Sequence, residues 1–349
     1  MSNLKINLQK GEIIPIRGTV DVDKAVAFFG CKVGKLHTTY LGLHLGVPHK
    51  SSRVRDVIEK RFKRKLAAWK KQYLFKGGRL ILIKYTFSNL PIYFMSLFVI
   101  LKKMIIKLER IQREFLWGDM EERRKIHLVS WLVICKDKKH GRLGLRHLEG
   151  FNQALLGKWL WRFPLENESF WRKVIVGKFG KVEGGWTTRE VRDFYGLGLW
   201  KVIRKEWEEF ILRISIHIGN GRHTRFWWDI WVRDSKLKDV FPMLFRIAAH
   251  KSTLVADLWG RQEDGGSCWK VPFRRSFQDY ELEEVTCFLE HIFMVKVQER
   301  EDSLVWKNDG RGKFNDKSYY RSLRAENSSL FPTKEIWGSC APLTTRFFA

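Results

Sequence analysis

Chemistry needs particular side chains gathered in one place, and the chain's largest gathering is cationic. Between Arg53 and Arg79 stand eleven lysines and arginines against two acids, Asp56 and Glu59, a net of +9. Arg53, Lys60, Arg61, Lys63, Arg64, Lys65, Lys70, Lys71, Lys76 and Arg79 are therefore the candidate contacts to a phosphate backbone. Such groups release condensed counterions and bind regardless of sequence, more weakly as salt rises. A merely solvated charged face is the competing reading. The sixteen tryptophans, interleaved with Lys and Arg at 159–162 and 225–231, could stack on unpaired bases. Core packing is the commoner use of such rings.

Metal and covalent chemistry are less well supplied. Cys287 and His291 stand four apart on an expected helix face with Cys268 upstream, but a structural zinc site wants four clustered ligands. His127, Cys135 and His140 do no better. Gly219-Asn220-Gly221 reads as a hairpin turn and not as a phosphate cradle, since no strand–loop–helix context follows it. No serine or cysteine nucleophile is placed beside a histidine by any pattern, and no metal site is expected.

Composition agrees with the cationic emphasis. Of 349 residues, 65 are Lys or Arg and 38 Asp or Glu, so the formal charge is +27 and the pI about 10.0. An excess of this size implies a polyanionic partner. Hydrophobic residues make up 44%, enough for real cores. The five cysteines are odd in number and far apart, which fits a reducing compartment better than a disulfide framework. The first residues lack the apolar stretch of a secretory signal. Tyr85 to Leu101 carries no charge, but Asn89 and Pro91 interrupt it. It reads as a break between two buried helices and not as a membrane span.

The elements that must position these groups follow from periodicity. Glu12 to Ile16 and Tyr40 to Gly46 read as short strands, and Asp21 to Gly30 as a helix ending on a glycine cap. Val54, Ile58, Phe62, Leu66 and Trp69 form the core stripe of a basic helix. Gly77-Gly78 interrupt it, a second helix spans 79–89, and a third spans 92–117 with Ile105, Leu108, Ile111 and Phe115 inward. Phe151 to Trp161 is an aromatic helix, 214–231 a hairpin, and 303–320 two short strands around Asp309-Gly310-Arg311-Gly312 followed by a helix from about Asn315. The apolar last residues, with no cap or turn, suggest a cut chain.

The order of several segments resembles the reverse transcriptases of plant LINE-type (non-LTR) retrotransposons. Lys5 to Glu12 is similar to the stretch after their catalytic Asp-Asp turn, and Tyr40-Leu41-Gly42-Leu43 to their primer-grip hairpin. Trp69 to Leu80, Leu90 to Met95 and Ile111 to Gly118 resemble their thumb; Phe151 to Arg162 and Arg225 to Trp231 resemble plant members further on. Gly312 through Tyr320 to Phe347 is similar to the opening of the zinc-binding module that ends these proteins.

The resemblance implies an α+β, mostly helical chain. Its parts would be a palm remnant over 1–50, a thumb over 51–118, a Trp-rich connector over 119–300 and the truncated start of the zinc module over 301–349. It also implies RNA or an RNA–DNA hybrid as partner, with no small-molecule substrate and no membrane expected, in the nucleus or cytoplasm. The family's polymerase uses paired aspartates to hold two metal ions. No Asp-Asp pair occurs here, and Asp21-Val22-Asp23 reads as a turn or helix cap. By the same resemblance Lys10 is a vestigial general acid toward pyrophosphate. The expectation is a nucleic-acid-binding piece that is no enzyme by itself and holds no cofactor, neither Mg nor Zn. A genomic relic, or a part of an active polymerase completed in trans, are the alternatives.

Overall fold

The computed structural model of the chain describes residues 11–15, 21–35, 39–40, 43–44, 52–70, 74–117, 129–136, 142–190, 198–261 and 267–324. They are α+β and mostly helical, as expected. The chain divides into two units. The first holds the described residues of 1–94 and 100–146, and the second those of 95–99 and 147–324.

In the first unit, β1 (Glu12–Ile13) pairs in parallel with β2 (Lys32–Val33) across α1 (Val22–Phe29). Gly30 ends α1 as the spacing requires: its φ is +64° and its N–H donates to Val26 O at 2.8 Å. β3 (Thr39–Tyr40) and β4 (Leu43–His44) form an antiparallel hairpin with Tyr40 opposite Leu43. The helical part comprises α2 (Ser52–Lys70), α3 (Lys76–Leu82), α4 (Ile92–Met95), α5 (Lys102–Trp117) and α6 (Trp131–Cys135).

Two boundaries differ from the periodic reading. Gly77 and Gly78 lie inside the first turn of α3, where the amide groups have no intrahelical acceptor to lose. The second helix then widens into a π-helical turn, Ile83–Phe87. Ser88 closes it, with both its N–H and its hydroxyl donating to Ile83 O, at 3.0 and 3.1 Å. Pro91 stops it, because it offers no amide hydrogen and restricts the residue before it. The third helix is not continuous either, since α4 and α5 are separated by residues 96–101. No described helix is long and apolar enough to cross a membrane.

In the second unit, α7 (Leu148–Leu165) is buried around much of its circumference and lies against α9 (Leu199–Lys205), α10 (Trp207–Ile211) and, later in the chain, the helix Asp316–Ser322. α8 (Phe170–Phe179) precedes α9. The carbonyls of Met95, Ser96 and Phe98 accept from Asn152 Nδ2 (2.7 and 2.9 Å, from Met95 and Phe98) and Trp159 Nε1 (2.8 Å, from Ser96). Segment 95–99 is thereby tied to this unit.

At β5 (Ile214–His217) the reading of a 214–231 hairpin survives only in one backbone bond, Ile216 N–H donating to Ile230 O at 3.1 Å; the strand partner lies elsewhere. β5 pairs antiparallel with β8 (Ser303–Trp306), Ile214 opposite Trp306. The glycine turn at 219–221 wraps instead around Asp302. That buried carboxylate accepts from the N–H groups of Gly219, Gly221 and His223 at 2.7, 2.8 and 3.0 Å, and from the Thr224 hydroxyl at 2.9 Å. Between β5 and β8 come α11 (Leu237–Val240), α12 (Pro242–Ile247), α13 (Val255–Leu258), the hairpin of β6 (Trp259–Arg261) and β7 (Ser267–Trp269), and α14 (Leu282–Phe293). No second strand follows β8 among the described residues; residues 307–311 turn, and Asn315 caps α15 (Asp316–Ser322) by accepting from Lys317 N–H at 2.8 Å.

The two faces of this unit's core are aromatic. Trp227 stacks on Phe288 with centroids 5.6 Å apart, and Tyr319 packs edge to ring against both Phe210 and Trp306, which are tilted on each other, where α10, β8 and α15 meet. Gly157 on α7 lets Tyr319 approach: a Cβ there would lie 2.4 Å from its Cε1, and that ring is fully buried. Gly157→Ala should therefore destabilise the chain by about 1–3 kcal/mol through overpacking, although alanine is the better helix former by about 1 kcal/mol. Urea denaturation measures it, and an unchanged or raised midpoint would refute the packing account.

Candidate nucleic-acid interface

Phe62 fixes which way α2 faces. Its ring is fully buried and stacks on Phe87 at 5.0 Å and 8°, while Trp69 contacts both Phe87 (5.0 Å) and Phe115 (5.8 Å). With Leu66 half-buried beside them, the stripe turns the remaining positions outward. Lys60, Arg61, Lys63, Arg64 and Lys65 are all exposed. Arg53 and Lys70 lie on α2 near its two ends. Lys76 begins α3, exposed and 6.0 Å over the Trp117 ring, and Arg79 is half-buried on the same helix.

A second basic face, which the sequence reading did not assign, joins the first. Met104, Ile105, Leu108, Ile111, Phe115 and Leu116 turn inward on α5, leaving Lys102, Lys103, Lys107 and Arg110 exposed. The two helices meet at Glu59. Its carboxylate, only 13% exposed, takes Lys63 at 2.7 Å and Lys107 at 2.5 Å. These two ammonium groups, Lys107 first, hold the Glu59 carboxyl below its ordinary range. Among the described residues, Lys60, Arg61, Arg64, Lys65, Lys102 and Lys103 have no ion-pair partner; Arg110 is paired with Glu114 at 2.6 Å. One acid thus welds two cationic helix faces into a single surface with most of its charge uncompensated. The signal for α5 was present in its sequence, as the complement of the hydrophobic spacing.

The other candidates fall in different places. Lys10, Lys71, Leu41 and Gly42 lie outside the described residues. Tyr40 and Leu43 are register partners in the β3–β4 hairpin. Asp21 accepts from Lys24 at 2.8 Å at the start of α1, a local pair. Cys287 and His291 are neighbours, but the ring nitrogen Nδ1 of His291 lies 2.7 Å from the Cys287 carbonyl and 3.7 Å from Sγ. No group of three or more His, Cys, Asp or Glu able to hold a metal ion occurs among the described residues.

Most tryptophans of the second unit are structural. Trp186, Trp200, Trp207, Trp227, Trp231 and Trp306 are buried. Indole N–H groups of Trp200, Trp231 and Trp306 donate to Thr188 Oγ1, Phe226 O and Ser318 Oγ at 3.0, 2.8 and 2.7 Å. Arg225 and Asp229, four apart within the Arg225-to-Trp231 motif, clamp one turn at 2.7 Å, with Arg225 N–H donating to the same carboxylate at 2.8 Å. Burial pushes the Asp229 carboxyl up and Arg225 pulls it down, burial being the larger.

An α+β, mostly helical, basic chain with a welded cationic surface is the class that fold and site define. No family model matches it. A protein of Arabidopsis thaliana, whose name assigns it provisionally to the ribonuclease H proteins, is 29% identical over 286 residues, which is 78% of this chain and 42% of that protein. An uncharacterized mitochondrial protein of the same plant is 33% identical over 150 residues, 42% of this chain and 94% of that protein. The chain belongs to the family of that mitochondrial protein. It spans less than half the length of the first relative. The expectation that the chain by itself is no enzyme is corrected here, because a relative aligned over 78% of this chain is named for an enzyme.

The Glu59 weld sets a pH dependence. A depressed carboxyl contributes stability that is full above its ordinary value of 4.5 and is lost as pH falls through the lower folded value. Glu59→Gln should flatten this acid limb of thermal stability. At neutral pH it should cost only about 0.2–1 kcal/mol per exposed partner lost. Identical acid limbs in the two proteins would remove Glu59 from the account.

Proposed function

We propose that the chain is a nucleic-acid-gripping part of a plant retrotransposon protein related to RNA-directed DNA polymerases, holding RNA or an RNA–DNA hybrid along the joined faces of α2 and α5. The observation that carries this is the uncompensated charge of that surface: exposed Lys60, Arg61, Arg64, Lys65, Lys102 and Lys103 without described acidic partners. Ions left unpaired on adjacent helices repel one another, and a polyanion relieves that repulsion while releasing its own counterions. The ordered likeness to LINE-type reverse transcriptases supports a thumb-like role for 51–118, a palm-like role for 1–50 and a primer-grip-like role for Tyr40 to Leu43. Five cysteines, odd in number and far apart along the chain, support a reducing compartment, nucleus or cytoplasm.

A second reading rests on the name of the longer relative: the chain belongs to a nuclease acting on the RNA of a hybrid. Metal-dependent cleavage of a labelled RNA strand paired to DNA, abolished by a chelator, would select it. Incorporation of nucleotides in a primer-extension assay would instead select a polymerase completed in trans.

For the binding reading, fluorescence anisotropy with a labelled RNA–DNA hybrid over a salt series is decisive. Affinity should fall linearly on a log–log plot, and Lys60→Gln/Arg61→Gln/Arg64→Gln should reduce the slope by about 2 and low-salt affinity by roughly tenfold or more. No measurable affinity at low salt would leave the relic reading.

A further inference from the structure

The second unit contains a cavity of about 630 Å³ whose lining includes Arg172, Lys173, Lys181, Trp186, His223 and Asp302. Arg172 is its unusual member. It is 6% exposed, yet it has no carboxylate partner: Nη1 reaches the Asn167 carbonyl at only 3.5 Å, Nε donates to nothing, and the guanidinium lies 5.0 Å over the Phe163 ring. The indole N–H of Trp186, 8% exposed, also donates to nothing. A buried cation left unpaired is costly, and so is an orphaned buried donor.

The acids along this cavity do not supply the missing charge. Asp302 is occupied by the four donors of the 219–224 turn. Glu168 is exposed and paired with Lys173 at 2.9 Å. Glu301 is exposed at the rim. A second cleft of about 580 Å³ is lined by Lys181, Glu183, Arg189, Arg225 and Trp228, so the two clefts share Lys181.

We propose that this cavity binds a phosphate group, received by Arg172 and the Trp186 indole N–H with Lys181 at the mouth. A guanidinium's forked donors suit phosphate oxygens. The neighbouring cleft, which adds Arg189 to the shared Lys181 while its Arg225 is engaged by Asp229, lets the phosphate belong to a nucleic-acid strand as well as stand free.

Thermal unfolding of the whole chain tests this, in chloride buffer and with inorganic phosphate or a short single-stranded RNA added at constant ionic strength. At tenfold excess over Kd the wild-type Tm should rise by roughly 3–5 °C. Arg172→Met should unfold at the same or a higher temperature in chloride and lose the response, which also removes any general salting effect. A rise with phosphate identifies a free or terminal group; a rise with RNA alone identifies a backbone phosphate. Trp186→Phe, which keeps the ring and deletes the donor, should halve the response or more, and serves if Arg172→Met does not fold. Lys60→Gln/Arg61→Gln/Arg64→Gln should leave the response to inorganic phosphate intact, and the RNA arm is read in that background, where binding to the α2 surface is removed, so that its loss on Arg172→Met reports this site alone. No rise with either probe, or a rise undiminished in both cavity variants, would overturn the proposal.

Discussion

The stacking of Phe62 and Trp69 on Phe87 and Phe115 is the contact on which the basic surface depends. Taken alone, α2 is a poor helix: Lys60 and Arg64, and Arg61 and Lys65, set like charges four apart, each such pair costing about 0.2–0.5 kcal/mol. Against that, each aromatic pair contributes about 0.5–1.5 kcal/mol beyond its buried area, and burying the Phe62 ring contributes about 1.5–3 kcal/mol. Packing wins by a clear margin. The charge can therefore stay uncompensated without unfolding the helix, and Glu59 needs only to join α2 to α5.

This balance also explains which parts of the chain were legible from residues alone. The stripe of α2, the Gly30 cap, the Asn315 cap and the aromatic helix that became α7 are all local patterns. They depend on neighbours within a few positions, and each was found close to where it was expected. The 214–231 hairpin failed for the opposite reason. Its glycines are required by Asp302, 83 residues from Gly219, and by the segment just before β8, whose backbone crowds the turn so closely that a Cβ on Gly219 would meet Arg300 O at 2.1 Å. Nothing local distinguishes a turn closing on its own strand from one closing on a distant carboxylate.

The candidate surface divides in the same way. The cations of α2 were found because they cluster in sequence. Those of α5 were passed over because hydrophobic spacing drew attention to Leu108 and Phe115, although the intervening Lys103, Lys107 and Arg110 are dictated by the same period. Tryptophans misled in another sense. Their interleaving with Lys and Arg suggests base stacking, but in the second unit the rings of Trp227 and Trp306 are fully buried. Arg225 beside them is held by Asp229, so in that motif the positive charge serves the fold.

Two buried ions in the second unit show how differently one chain can treat opposite charges. Asp302 is surrounded by three backbone N–H groups and a hydroxyl, an arrangement that elsewhere receives anions from outside. Here the chain fills it with its own carboxylate, and the turn becomes a structural joint between β5 and β8. Arg172, lining the same cavity, receives no such treatment: its neighbours are an aromatic ring, a distant carbonyl and acids already engaged. A carboxylate introduced nearby would relieve it, and Asp302 would do so if its loop donors did not hold it. Asp302 is thus fully satisfied while Arg172 is left open, an asymmetry that has the same sign as the unpaired lysines and arginines of α2 and α5. At both places the unpaired charge is positive and lies on a helix, so an anionic partner would meet donors already held in place, with little further ordering of the chain.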